Sequence, residues 1–299
     1  MKEPIYDILI QNTRILTPDM TIRSGVDVAI KDGMISSICS SGSLSCQEAE
    51  QTVDGSRLLW MPGLTDGHMH TCQQLLRGKI LDALPMIWTR IMLPFESTLT
   101  PEAVSLSAAL CSLEMIRGGT TSFLDAGGIH MDEAAKVYIK SGLRGALTLS
   151  TMDDTKVPDS MRADAAESIS RLNEYYNTWN GSGDGRLSVY YSLRSLISCS
   201  EELIRGVFEA ASERSAMVEA HMNEYPNEIN YHLERYQMRP MEYLDSLGVL
   251  SDHFVSAHSL LLSEHEIELM AANGVKAVHC PFSNCGKGVP NTPRLLESG

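Results

Sequence analysis

The 299-residue chain has no hydrophobic run long enough to cross a bilayer, and its start, Met1-Lys2-Glu3-Pro4-Ile5-Tyr6-Asp7, holds no apolar signal core. It has no Lys/Arg run either: 24 basic side chains stand against 38 acidic ones, for a formal charge of -14. Such a surface repels polyanions, which argues against nucleic acid and membrane as partners. The seven cysteines are odd in number and scattered, and Cys280 and Cys285 lack CxxC spacing, so no disulfide framework is expected. Together these absences predict a cytoplasmic protein with reduced thiols. No internal repeat is visible. Gly286-Lys287-Gly288 lacks the upstream glycine and the following Ser/Thr of a phosphate-cradling loop. What remains is a globular composition, 43% hydrophobic and 21% charged, with room for one large domain, or a large and a small one.

Two rhythms divide the chain. Residues 1–59 read as β, with Val26–Ile30 and Met34–Ile38 flanking Lys31-Asp32-Gly33, a hairpin signal. From Trp60 the pattern becomes strand, loop, helix. Strand candidates are Gly63–His70, Thr120–Asp125, Arg144–Leu149, Leu187–Leu193, Met217–His221, Phe254–His258 and Val275–His279. Helix starts are marked by Thr100 before Pro101, by Ser200 before two glutamates, and by the capping box Ser263–Glu266. Alternation of this kind implies a parallel sheet with right-handed crossovers, and seven strands favour a (β/α) barrel over residues 60–299 rather than an open sheet.

Barrel enzymes gather their chemistry at the C-terminal strand ends. Here the first, fifth, sixth and seventh candidates end in histidine: His68 and His70, His221, His258 and His279. Side chains at i and i+2 of a strand share a face, so His68 and His70 converge on one point. One strand-end histidine is commonly structural; a series beginning with His-x-His points to a metal. Glu224, three residues after His221, is either a solvated loop carboxylate or a group sharing that site.

With Pro62–His70, His221-Met222-Asn223-Glu224, Ala257-His258 and His279-Cys280-Pro281-Phe282-Ser283-Asn284 in order, supported by Leu76-Arg77-Gly78 and Arg117–Thr121, the chain resembles the amidohydrolase superfamily. Within it, the branch of aminohydrolases acting on adenosine-type and guanine-type bases, cytosine and s-triazines is the nearest pattern. The resemblance implies a (β/α)8 TIM-like barrel with a small N-terminal β-sandwich portion. It implies one divalent metal on His68, His70 and His221, zinc first and iron as the alternative. Glu224 would shuttle protons, and His258 would position the attacking water. The reaction implied is hydrolytic deamination of an amino-substituted N-heterocycle, hydroxide made at the metal attacking the amine-bearing carbon and releasing ammonia. Alternatives on the same site are hydrolysis of a cyclic amide or an s-triazine. The implied partner is a small-molecule substrate, and relatives imply a homo-oligomer. The fourth strand candidate carries no Lys to bridge a second metal.

Two departures from the pattern stand out. The family's further Asp ligand ends strand eight, and Leu295–Gly299 falls before that point, so the barrel is expected to be truncated and the chain to be the N-terminal part of a longer enzyme. An inactive fragment or a binding module is the corresponding alternative. Asp125 and Asp153/Asp154 do not match the missing ligand. Where nucleoside deaminases of this branch carry a His-Ala-Pro-Tyr-like element, this chain has Leu193-Arg194-Ser195, and Arg194 either binds a substrate anion or forms a structural ion pair. Trp88, which either stacks on a flat heterocycle or simply packs, and Asn284 and His279 complete the substrate-binding candidates.

Overall fold

A computed structural model describes residues 4–45, 48–80 and 86–299, which leaves Met1–Glu3 of the start and Cys46 outside the described residues. The chain divides into two compact units, Met1–Gly63 and Leu64–Gly299.

The first unit is one five-stranded sheet. β1 (Tyr6–Leu16), β2 (Ile22–Lys31) and β3 (Met34–Ser40) form an antiparallel meander, and β4 (Ala49–Asp54) and β5 (Leu59–Trp60) pair parallel with successive halves of β1. The β2–β3 turn is the Asp-Gly hairpin read from the sequence. Asp32 and Gly33 have φ of 51° and 73°, the two positive values that a turn matched to strand twist requires. Ile10, Ile15, Val26 and Val28 make its buried core. β4, Ala49-Glu50-Gln51-Thr52-Val53-Asp54, is polar and largely exposed, so its sequence carries no strand alternation and it is held by its ladder rather than by burial.

The second unit alternates parallel strands with helices. β6 (Leu64–Met69), β7 (Thr120–Asp125), β8 (Arg144–Leu147) and β9 (Leu187–Val189) pair in that order; β10 (Tyr191–Ser195), β11 (Val218–Met222), β12 (Phe254–His258) and β13 (Lys276–Val278) continue it. β9 and β10 are one stave bent at Tyr190: the Tyr190 amide donates to Leu147 on one side, and the Tyr191 amide to Met217 on the other. Seven sequential parallel staves make a TIM-barrel-like fold. Leu124, Ala146, Val255 and Val278 fill its interior. At the first stave, a side chain at Gly67 would meet Val278 at 3.0 Å, so any other residue there would push Val278 aside by a few tenths of an ångström.

Helices cover the outer face and begin where caps were read. Thr100 caps Pro101–Gly118, Ser200 caps Glu201–Ser212, and Ser263 with Glu266 forms the capping box of Glu264–Asn273, which Gly274 ends at φ 68°. Two apolar layers result, one around Leu172, Leu193 and Phe254, the other around Val104, Leu147 and Tyr138. They fix the staves, and with them the positions of the strand-end side chains.

Candidate metal centre

Three imidazoles meet at the C-terminal mouth. β6 delivers His68 and, one residue past its end, His70; β11 delivers His221. One ring nitrogen from each lies within 4.8 Å of the other two. His70 Nε2 and His221 Nε2 are 2.9 Å apart, and the rings stack at 24° with centroids 4.9 Å apart. His68 sits edge-on to both, at centroid distances of 4.9 and 4.6 Å. Burial, assisted by neighbouring imidazoles and the Arg194 charge, pushes the conjugate acids of His70 and His221 well below the usual histidine range, keeping both neutral.

The donor set fits a divalent ion. His68 Nε2, His70 Nδ1 and His221 Nδ1 are buried without a hydrogen-bond partner, and three imidazole nitrogens suit zinc or iron. Three imidazole nitrogens around one tetrahedral ion stand about 3.4 Å apart; the Nε2 atoms of His70 and His221, across each ring from the partnerless Nδ1, stand 2.9 Å apart.

The chemistry-bearing neighbours are in reach. His258, ending β12 at φ 69°, is one of two adjacent non-glycine residues in left-handed backbone, a conformation held here by the surrounding bonds. Its Nε2 is 3.4 Å from Glu224 Oε1. Asn284 determines its tautomer. Asn284 Nδ2 donates to the His258 carbonyl at 2.8 Å, so Asn284 Oδ1, 3.0 Å from His258 Nδ1, must accept a hydrogen bond from that ring nitrogen. His258 therefore carries its proton on Nδ1 and turns an open lone pair on Nε2 toward Glu224. Burial pushes its conjugate acid down to about 4. The other Asn284 Nδ2 hydrogen points at His279 Nδ1, 3.0 Å away. Asn284 thus ties two of the strand-end histidines together.

Glu224 sits in a turn built by Glu228, whose carboxylate accepts from the amides of Asn223 and Glu224 at 3.0 and 2.9 Å. Lys287 pairs with Glu224 and lies 4.8 Å from the centre of the Tyr225 ring. A cavity of about 1050 Å³ opens above these groups, ample for a drug-sized or nucleoside-sized ligand. Trp88 lines it while also packing on the Leu93–Met152 cluster; the segment just before it, 81–85, is outside the described residues.

Arg194 reaches the cavity wall as half of a buried ion pair. Its two terminal nitrogens lie 3.0 and 2.9 Å from the two oxygens of Glu96, which also accepts from Gln73 at 2.7 Å. Asp125 is tied to Thr71, the residue after His70, and stands outside the imidazole cluster.

Three contributors were not read from the sequence. Glu96 ends a four-residue helix, Leu93–Glu96, too short to carry a periodic signal. Cys280 places its sulfur within 4.8 Å of ring nitrogens of His68 and His258. Glu219 lies 3.0 Å from His68 Nδ1, and the two-residue period that brought out His68 and His70 would have found it beside His221.

Comparison with known proteins identifies the family. The Amidohydrolase family profile matches residues 59–299. The chain is 35% identical to the 5'-deoxyadenosine deaminase of Methanothermobacter thermautotrophicus, over 93% of this chain and 64% of that protein. It is 32% identical to the 5-methylthioadenosine/S-adenosylhomocysteine deaminase of Pelotomaculum thermopropionicum, over 98% of this chain and 67% of that protein. An adenosine deaminase from Xanthomonas campestris with bound zinc superposes with a TM-score of 0.88 at 26% identity, over 99% of this chain and 68% of that one. The chain thus spans about two thirds, or slightly less, of the relatives it matches.

Proposed function

The chain belongs to the amidohydrolase family, and from that premise we propose that it forms the metal-binding and catalytic portion of a zinc-dependent hydrolytic deaminase acting on an adenosine-type purine. The observation that carries the reading is the convergence of three imidazoles, one ring nitrogen of each within 4.8 Å of the other two, beside Glu224 and His258 at one cavity. The matched relatives, named as deaminases of adenosine-type nucleosides, support the substrate class.

His68, His70 and His221 would hold the ion, which when bound supplies the Lewis acidity that makes water a nucleophile near neutral pH. The remaining work falls to the chain's own side chains. The overall change is substitution of the exocyclic amine by water's oxygen, giving a ring carbonyl and ammonia. Glu224 takes a proton from the attacking water and delivers it to the ring nitrogen beside the amine-bearing carbon. That lets the aromatic ring accept the electron pair. His258, neutral and held by Asn284, accepts a hydrogen bond from the same water on Nε2 and so aims it. The second water proton leaves with the amine. General acid–base help of this kind contributes roughly 10²–10⁴-fold. Trp88 and Tyr225 offer flat faces to the heterocycle.

Ammonia release across a panel of adenosine-type nucleosides, guanine, cytosine and a cyclic amide tests the proposal. Release from the adenosine-type compounds is expected. Turnover of the cyclic amide alone would overturn it.

A further inference from the structure

We infer that Glu219 is a positioning residue for the metal: through His68 it sets the ring tautomer and orientation that the ion requires. The inference rests on the reading of His68, His70 and His221 as a metal set.

β11 carries Glu219 and His221 on the same inward face, two residues apart. Glu219 is fully buried, and its Oε1 lies 3.0 Å from His68 Nδ1 on β6. A carboxylate can only accept, so the proton of a neutral His68 ring stands on Nδ1. Its Nε2 then carries a lone pair, and that atom is the buried, partnerless one. Tautomer, ring plane and open donor atom are therefore determined together by one contact from across the barrel. His68 packs against His70, His221 and His258 at 4.9, 4.6 and 5.0 Å between centroids, so its orientation is transmitted to the rest of the cluster.

The carboxylate itself is incompletely satisfied. Glu219 Oε2 is buried with no hydrogen-bond partner, and among the described residues the ion-pair partner of Glu219 is His68. A buried anion with one neutral donor is costly. A dication on the far side of that donor would polarise its N–H and compensate the charge. A carboxylate whose purpose was only to hold β6 to β11 would do so equally well without the ion. One that serves the ion loses its compensation when the ion leaves. Loss of such outer carboxylates typically weakens metal binding about 10–100-fold.

The test is zinc affinity, measured on the full 299-residue chain by chelator competition, for the wild type, Glu219→Gln and Glu219→Ala, with Co²⁺ visible spectra of each. Glu219→Ala is expected to weaken zinc binding about 10–100-fold. Glu219→Gln, which keeps an acceptor but not the charge, is expected to fall between it and the wild type. The Co²⁺ bands of both should shift. Folded variants whose zinc affinity stays within about twofold of the wild type, well short of the loss such a carboxylate causes, would overturn the inference and leave the metal reading standing. A wild type that binds no zinc would overturn both. If Glu219→Ala does not fold, Glu219→Gln and the wild-type His68 ring decide it: ¹⁵N NMR should show that ring protonated on Nδ1 with zinc bound, and the opposite tautomer would refute the role.

Discussion

Removing Arg194 separates two roles for that residue, an anchor for a substrate anion and a support for the cavity wall. The guanidinium is only 3% exposed, and Glu96 is 0% exposed; two parallel bonds of 2.9 and 3.0 Å join them, with Gln73 and Ser150 attached. Arg194→Met leaves Glu96 as a buried carboxylate without a counter-charge, and breaking a buried pair from one side costs about 3–5 kcal/mol. That is roughly two to four powers of ten in the folding equilibrium and a large share of the ~5–15 kcal/mol a domain typically has. Glu96→Leu alone should cost a similar amount, by stranding the guanidinium. The double variant removes both charges and should be less destabilised than the sum of the two. Urea unfolding at pH 7, followed by far-UV circular dichroism for all four proteins, measures each value and the coupling between them. Near-wild-type stability of Arg194→Met, together with a raised KM, would refute the wall role and return Arg194 to substrate binding.

Two further perturbations have defined signs. Glu224→Gln should lower kcat about 10²–10⁴-fold while the zinc content of the protein stays unchanged; a loss of metal with the loss of rate would mean that Glu224 acts through the ligands instead. Glu228 governs a pH effect: burial pushes its carboxyl from 4.5 up to about 8. An acid raised on folding contributes stability that is complete below about pH 4.5 and is lost as pH rises through about 8. The urea midpoint of the wild type should therefore fall across that window, and Glu228→Gln should flatten the fall. Parallel pH profiles for the two proteins would contradict the assignment.

Much of this arrangement was legible because strand period and strand-end histidines are local signals. His68, His70, His221 and His258 could be placed at one mouth from spacing alone, since parallel staves bring their C-terminal ends together. Helix starts at Thr100, Ser200 and Ser263 were equally readable, since capping is decided within four residues. What escaped was non-local. The bend at Tyr190 lets the first half of one stave pair with β8 and the second half with β11, and no pattern within Leu187–Leu193 marks it. Arg194 could not be assigned from sequence because its partner, Glu96, lies 98 residues away. Glu219 escaped although it obeys the same two-residue rule as the ligands: a glutamate in an apolar strand is conspicuous, but its partner is 151 residues distant.

Every step of the proposed chemistry depends on one divalent ion held by His68, His70 and His221. The metal-to-protein ratio, by elemental analysis, of the wild type and His221→Ala after exposure to zinc and removal of unbound ion tests that dependence at its root. About one ion per wild-type chain is expected, as a single site of this ligand type holds, and a ratio near zero for a folded His221→Ala. A wild type without stoichiometric metal, or a His221→Ala protein that keeps it, would contradict the three-histidine centre.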